Sequence, residues 1–211
     1  LRSNSGTKNR KIINYPQDIM IKRFEKQSER LLIFLVDASG SNAIGRLAEA
    51  KGAIEILLSD AYAKRDNVAL ISFSGLKADP LLLPTKSLVT AKKKLSSLPG
   101  GGATPLANGL LEAFNMADAA RSRNIKPIII LLSDGRGNMS LDGEGDRVKA
   151  IKDTNYVASL IKRNAINNIF IDTSRRKTPI ADELARELSG HYFQLPLANS
   201  SSISKAVQQS I

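Results

Sequence analysis

The stretch Leu31-Leu32-Ile33-Phe34-Leu35-Val36-Asp37 decides the fold, because it is an unbroken apolar run that ends in a carboxylate. Such a run predicts a strand that is buried on both faces, as strands of parallel sheets are. The stretch Ile128-Ile129-Ile130-Leu131-Leu132-Ser133-Asp134 repeats the pattern. The sequence therefore predicts two buried strands of one parallel sheet, each followed by an aspartate at the same edge.

Helical and strand patterns alternate along the rest of the chain. Helices are predicted over 43–64, 90–98, 105–124, 149–164, 180–188 and 202–209, and further strands over 68–73, 81–84, 168–172 and 191–195. Pro84 places the strand at 81–84 on an edge, because proline cannot donate to a central ladder. The alternation predicts a doubly wound, mostly parallel α/β sheet with one short antiparallel edge strand and helices on both faces.

The length of 211 residues suits one domain of this class. Residues 1–29 are polar and basic, which predicts an extension or linker, with a short strand near Ile12-Ile13, and we expect the domain itself to occupy residues 30–211. A first residue of Leu indicates a piece cut from a longer polypeptide.

Composition narrows the function classes. The chain has no cysteine, which removes disulfides and thiolate chemistry and favours a reducing compartment. It has neither a membrane-spanning apolar stretch nor a signal-peptide core, so we expect a soluble protein of the cytoplasm. The net charge of +11 fits a solvated surface or an acidic protein partner better than nucleic acid, because few aromatic residues lie between the basic ones.

Five oxygen-bearing side chains are predicted to meet at the carboxyl edge of the sheet, where ligands bind in such folds. Asp37 and Asp134 end two strands; Ser39 and Ser41 are alternate residues of the turn after Asp37; Thr104 follows a glycine run whose tight loop could carry it to the same place. Oxygen ligands without histidine or cysteine suit a hard cation, and only two carboxylates favour Mg²⁺ over Ca²⁺. A carboxylate of a partner would complete the coordination.

Each of these residues has a simpler structural interpretation. Ser39 and Ser41 could cap the helix that follows, and Asp134 could open the turn after it. Arg136 could pair with a partner's carboxylate or only with Asp134.

Enzyme classes are poorly supported. The only histidine, His191, begins a short strand and is expected to be structural; neither serine of the turn lies in a G-x-S-x-G elbow; no nucleotide-binding glycine motif occurs. A phosphoaspartate enzyme would need a second acid where Ser39 stands. We therefore predict no catalytic residue and no organic cofactor.

The element Asp37-Ala38-Ser39-Gly40-Ser41 resembles the DxSxS element of von Willebrand factor A domains. Together with Thr104 and Asp134 it is similar to their metal-ion-dependent adhesion site, and the resemblance runs from about Arg30 to Gln209. It implies that Asp37, Ser39, Ser41, Thr104 and Asp134 hold one Mg²⁺.

Further segments resemble the C-terminal region of the D subunits of magnesium chelatases, and Ile21-Lys22-Arg23-Phe24 fits as well. This resemblance implies an interaction module of an ATP-dependent ligase, which inserts Mg²⁺ into protoporphyrin IX for chlorophyll or bacteriochlorophyll, and implies the plastid stroma in a photosynthetic eukaryote. The implied partners are the AAA+ I subunit and the porphyrin-binding H subunit. The segments that carry the resemblance are Val36-Asp37-Ala38-Ser39-Gly40-Ser41, Arg46-Leu47-Ala48-Glu49-Ala50-Lys51-Gly52-Ala53, Arg65-Asp66-Asn67-Val68-Ala69-Leu70-Ile71, Leu83-Pro84-Thr85-Lys86-Ser87, Thr104-Pro105-Leu106-Ala107 and Ser133-Asp134-Gly135-Arg136-Gly137-Asn138.

Two departures and two alternatives remain. The chain lacks the AAA+-like half and the acidic linker of a full subunit, and Ala103 stands where relatives often have glycine. The first alternative is an interaction module of the same fold in a different AAA+ or cobalt chelatase-like complex. The second is a metal-dependent hydrolase.

Overall fold

In the computed structural model, residues 29–40, 54–98, 101–174, 176–195 and 205 are described. Several predictions fall outside these ranges: the extension with its short strand near Ile12-Ile13, the position of Ser41, the first half of the helix at 43–64, and the closing helix at 202–209 except for Lys205.

The strands form one sheet of six with the order β3-β2-β1-β4-β5-β6. All neighbouring pairs are parallel except β2 with β3, which is antiparallel. The predicted doubly wound sheet with an antiparallel edge strand is therefore confirmed. The strands are β1 (Arg30–Asp37), β2 (Asn67–Ser74), β3 (Lys77–Thr85), β4 (Lys126–Ser133), β5 (Asn167–Asp172) and β6 (His191–Gln194).

Strand β3 is longer than the four residues predicted, because it begins at Lys77, directly after the tight turn at Gly75 and Leu76. Both of its prolines, Pro80 and Pro84, lie on this edge strand, which leaves the central ladders intact. The register of β3 against β2 shifts twice between Val68 and Ile71. The edge strand is thus irregular where the prolines interrupt hydrogen bonding.

The described helices follow the predicted order. Helix α1 is helical from residue 54 to residue 63 within the described residues. Helix α3 (Leu106–Arg121) ends three residues earlier than predicted, because Asn124 adopts a left-handed conformation (φ 61°) in the turn that leads to β4. The other helices are α2 (Leu88–Ser96), α4 (Arg147–Arg163) and α5 (Pro179–Leu188).

The alternation of side chains along β1 divides the core into two layers. Leu32, Phe34 and Val36 pack with α1 and α2 on one face of the sheet, whereas Leu31, Ile33 and Leu35 pack with α3, α4 and α5 on the other. Because both faces are covered, β1 is buried along its whole length. Because β1 and β4 pair in parallel, their carboxyl ends lie side by side at one rim of the sheet. Of the helices described, none combines the length and apolar character that crossing a bilayer requires.

A buried ion pair closes the opposite end of the sheet. Arg30 Nε donates to Asp66 Oδ1 at 3.0 Å, and Arg30 Nη2 donates to Asp66 Oδ2 at 2.5 Å. Both side chains are more than nine-tenths buried. This pair joins the start of β1 to the residue before β2 and lies far from the carboxyl rim.

Candidate metal centre at the carboxyl rim

The predicted pair of aspartates is brought together by the pairing of β1 with β4. Val36 of β1 is in register with Leu132 of β4, so Asp37, the last residue of β1, and Asp134, the residue after β4, lie at the same rim. Burial is the main cause that raises the pKa of Asp37, and the negative charge of Asp134 adds to the rise. The convergence of the two carboxylates, which the strand patterns indicated, is thus present in the structure.

Asp37 is a buried carboxylate surrounded by neutral donors. Its side chain accepts hydrogen bonds from Ser39 N at 2.9 Å and from Ser39 Oγ at 2.5 Å on Oδ1, and from Ser133 Oγ at 2.9 Å on Oδ2. Burial raises the pKa of Asp37, although these hydrogen bonds oppose the rise. No lysine or arginine in the described part of the chain pairs with it. A buried anion of this kind would be stabilised by a cation.

The loop before α3 delivers Thr104 to the same place. Thr104 Oγ1 donates to Ser39 Oγ at 2.6 Å, so that one chain of hydrogen bonds runs from Thr104 through Ser39 to Asp37. The backbone fixes this loop on both sides: Gly40 N donates to Gly102 O, Gly101 N to Ala38 O, and Gly75 N to Ala103 O. Ala103 is therefore held in place within the loop. Although alanine stands here where relatives often have glycine, Thr104 still lies close to Ser39.

Gly102 shows why the glycine run is needed. Its φ is +89°, and a Cβ there would lie 3.0 Å from Gly75 N in the turn between β2 and β3. A side chain at this position would therefore crowd the backbone of Gly75, and it would also be strained by the positive φ. Gly102 thus provides the close approach and the positive φ that the tight loop requires.

Asn138 joins the Thr104 loop to the loop after β4. Thr104 N donates to Asn138 Oδ1 at 2.6 Å, and Asn138 N donates to Thr104 O at 3.1 Å. These reciprocal bonds hold the two loops that carry Thr104 and Asp134. The sequence indicates Asn138 only as part of a segment that carries a resemblance, and its role here could not be predicted, since its partner lies 34 residues away.

Ser133 was also missed as a functional residue. It is fully buried at the end of β4, donates to Asp37 Oδ2, and accepts from Gly135 N at 3.1 Å. The hydroxyl therefore links the carboxylate to the turn that follows Asp134. The available signal was a polar residue at the last position of an otherwise apolar strand.

The remaining predicted residues have mixed outcomes. Asp134 opens the turn after β4, as the simpler interpretation proposed, because its Oδ1 accepts from Arg136 N at 3.0 Å; it is also near Asp37. Arg136 is exposed and forms no salt bridge with Asp134 in the described residues. Ser41 lies outside the described residues. His191 begins β6, at the end of that strand away from the rim.

The donor set fits a hard cation. Among the residues described, no group of three or more His, Cys, Asp or Glu could hold a metal, so any ion at the rim depends on hydroxyl oxygens in addition to the two carboxylates. The hydroxyls of Thr104 and Ser39 donate their protons along the chain of hydrogen bonds that ends on Asp37, so each hydroxyl would face an ion with its oxygen. Such a set suits Mg²⁺, which accepts neutral oxygen ligands and retains waters.

Comparisons with known proteins agree with this fold. A family model described as von Willebrand factor type A domain matches residues 32–136. The chain is 47% identical over 192 residues to the magnesium-chelatase 60 kDa subunit of Cereibacter sphaeroides, covering 91% of this chain and 34% of that protein. It is 50% identical over 181 residues to the 60 kDa subunit of Rhodobacter capsulatus, covering 86% of this chain and 32% of that protein. The chain thus spans about one third of the length of these relatives.

A solved structure shows the same fold at low sequence identity. The vWF domain of the type V pili tip protein Mfa5 from Porphyromonas gingivalis superposes with a TM-score of 0.61 at 15% identity, covering 86% of this chain and 93% of that one. The matched part of the magnesium-chelatase subunits is their C-terminal part. This chain therefore belongs to the family of von Willebrand factor type A domains, and within it to the domains that form the C-terminal part of magnesium-chelatase D subunits.

Proposed function

We propose that the chain is a Mg²⁺-binding protein-interaction domain of a magnesium chelatase D subunit. The observation that carries the proposal is the buried Asp37, which has neutral donors on both oxygens, the charge of Asp134 beside it, and no cationic partner in the described residues. The ligands are Asp37, Ser39, Thr104 and Asp134, together with Ser41, which lies outside the described residues.

The chain's own residues have separate tasks in this site. Asp37 supplies negative charge inside the rim, and Ser133 keeps one of its oxygens oriented. Ser39 and Thr104 offer hydroxyl oxygens whose protons are engaged elsewhere. Bound Mg²⁺ supplies a coordination position that accepts a carboxylate oxygen from outside. The domain therefore recognises an acidic residue of a partner, and catalysis takes place elsewhere.

The partners are the AAA+ I subunit and the porphyrin-binding H subunit, and the domain helps to couple the ATP-hydrolysing ring to insertion of Mg²⁺ into protoporphyrin IX. The identity of 47% and 50% to named magnesium-chelatase subunits supports this assignment. The Mg²⁺ inserted into the porphyrin is a substrate and is distinct from the ion held at the rim. The excess of positive charge on the chain suits an acidic partner surface.

A pull-down of purified I and H subunits by this chain, in Mg²⁺ or in EDTA, tests the proposal. We expect binding in Mg²⁺ and loss of binding in EDTA. Asp134→Asn should lose binding, whereas Asp142→Asn, in the same loop and paired with Lys149, should retain it. Binding that is indifferent to both metal and Asp134 would contradict the metal bridge, and binding to neither subunit would favour a different AAA+ complex.

A further inference from the structure

An open groove lies beside the rim, between the first turns of α4 and α5. The free space between its walls is about 320 Å³, including the part that is open to solvent. Gly135, which directly follows Asp134, forms part of its wall, and the aliphatic side chains of Ile151, Ile180 and Leu184 line it. The groove therefore begins one residue from the proposed metal site.

The walls of the groove are fixed in place. Asn155 Nδ2 of α4 donates to Glu183 Oε1 of α5 at 3.3 Å and so joins the two helices. Gly135 has φ +77°, and a Cβ there would lie 3.3 Å from Ala181 Cα, so this turn packs directly on α5. The turn that carries Asp134 therefore also helps to determine the shape of the groove.

One lining residue of the groove and an aliphatic neighbour on the same helix are exposed to solvent. Ile151 is 37% exposed, and Val148, three residues earlier on the same face of α4, is 64% exposed. Two aliphatic side chains facing solvent beside a polar rim are typical of a contact surface. Covering them would remove apolar area from water.

Charged residues near the groove favour an acidic group at one position of a bound segment and a neutral group at another. Arg136 and Arg147 are exposed at the rim side and form no salt bridge in the portion of the chain that is described. Glu183 lies inside the groove. An acidic side chain is therefore favoured at the rim and disfavoured in the groove, where a neutral aliphatic side chain fits.

We propose that this groove binds an aliphatic side chain of the same partner segment whose carboxylate reaches the metal site. The inference rests on the proposed function, because the metal fixes the carboxylate. The recognised segment is an extended acidic peptide with a leucine-like residue a few positions from its Asp or Glu, since an extended chain spans about 3.3–3.6 Å per residue. The groove thus adds sequence selectivity to a site that would otherwise accept any exposed carboxylate.

The test uses short capped Gly/Ser peptides that carry an aspartate alone, a leucine alone, or both with about two residues between them. Binding to the ¹⁵N-labelled chain is followed by NMR titration in Mg²⁺ and in EDTA. In Mg²⁺ the peptide with both residues should bind at least about tenfold more tightly than the peptide with aspartate alone, from burial of one aliphatic side chain. Ile151→Ser and Ile180→Asn should remove that difference and leave the affinity for the aspartate peptide unchanged.

Val89→Ser is the matched control, because Val89 is a 78% exposed aliphatic residue on α2, on the other face of the sheet. It should leave the tenfold difference intact. Equal affinity for the two aspartate peptides, or no binding of the peptide with both residues, would overturn the groove. If EDTA abolishes the contribution of aspartate to affinity but not that of leucine, the result supports both the metal site and the groove. If EDTA changes neither contribution, the proposed metal bridge is contradicted, whereas a tighter binding of the peptide with leucine still supports the groove.

Discussion

Replacing Ser133 with alanine removes one buried hydroxyl and two hydrogen bonds at once. Ser133 Oγ donates to the Asp37 carboxylate at 2.9 Å and accepts from Gly135 N at 3.1 Å, and the residue is fully buried. A hydrogen bond to a charged group contributes about 1.5–3 kcal/mol, and a buried N–H left without an acceptor costs about 1–3 kcal/mol. Because the two losses share one atom and are not additive, we expect Ser133→Ala to lower the free energy of unfolding by about 3 kcal/mol.

Urea unfolding in EDTA measures this loss, with an unchanged slope showing that the denatured state is the same. Ser59→Ala is the matched control: Ser59 is exposed, donates one hydrogen bond to Glu55 O, and should change stability by less than about 0.5 kcal/mol. In an Asp37→Asn background the cost of Ser133→Ala should fall by about 1 kcal/mol or more, because the acceptor is no longer charged. A loss below about 1 kcal/mol in the original background, or no coupling to Asp37, would refute this account of Ser133.

Three further outcomes are expected. Asp37→Asn should raise the melting temperature in EDTA. Burial raises the pKa of Asp37 above its ordinary value of 3.8, so the metal-free protein loses stability as the pH rises from 3.8 toward that raised pKa, and asparagine removes this loss. An unchanged or lower melting temperature of the variant near neutral pH would argue against this account. Asn138→Ala should weaken Mg²⁺ binding several-fold in calorimetric titration, since Thr104 N loses its acceptor, and retention of full affinity would show that the clamp between the loops is unnecessary. Asp66→Ala should cost about 3–5 kcal/mol in urea unfolding, by leaving Arg30 buried without its partner, yet should not change the affinity of the folded protein for Mg²⁺.

Most of the fold could be predicted from local patterns. The two apolar runs that end in Asp37 and Asp134 are the two central strands, β1 and β4, and their parallel pairing follows from alternation with helices. The ends of helices and strands could not be placed to the residue where backbone conformation decides them. Asn124, for example, ends the turn after α3 through a left-handed conformation that its identity permits but does not require.

The site could be predicted only in part. Carboxylates at strand ends are constrained by topology, so Asp37 and Asp134 could be placed together from the sequence. The contributions of Ser133 and Asn138 depend on contacts across 96 and 34 residues of chain. Ser133 is noticeable as a polar residue at the end of an apolar strand, but neither position indicates which residue is the partner. The groove beside the rim depends on the packing of α4 against α5, which residue patterns do not specify.

The central claim is that the rim of the sheet holds one divalent cation through Asp37, Ser39, Thr104 and Asp134, together with Ser41. Thermal unfolding of the chain across a Mg²⁺ titration tests it most directly, with Asp134→Asn measured in parallel. At Mg²⁺ concentrations about one hundred times the dissociation constant, binding to the folded state should contribute about 2.7 kcal/mol and raise the melting temperature by about 5–10 °C, and the variant should lose the rise. Identical melting curves in saturating Mg²⁺ and in EDTA would contradict the claim.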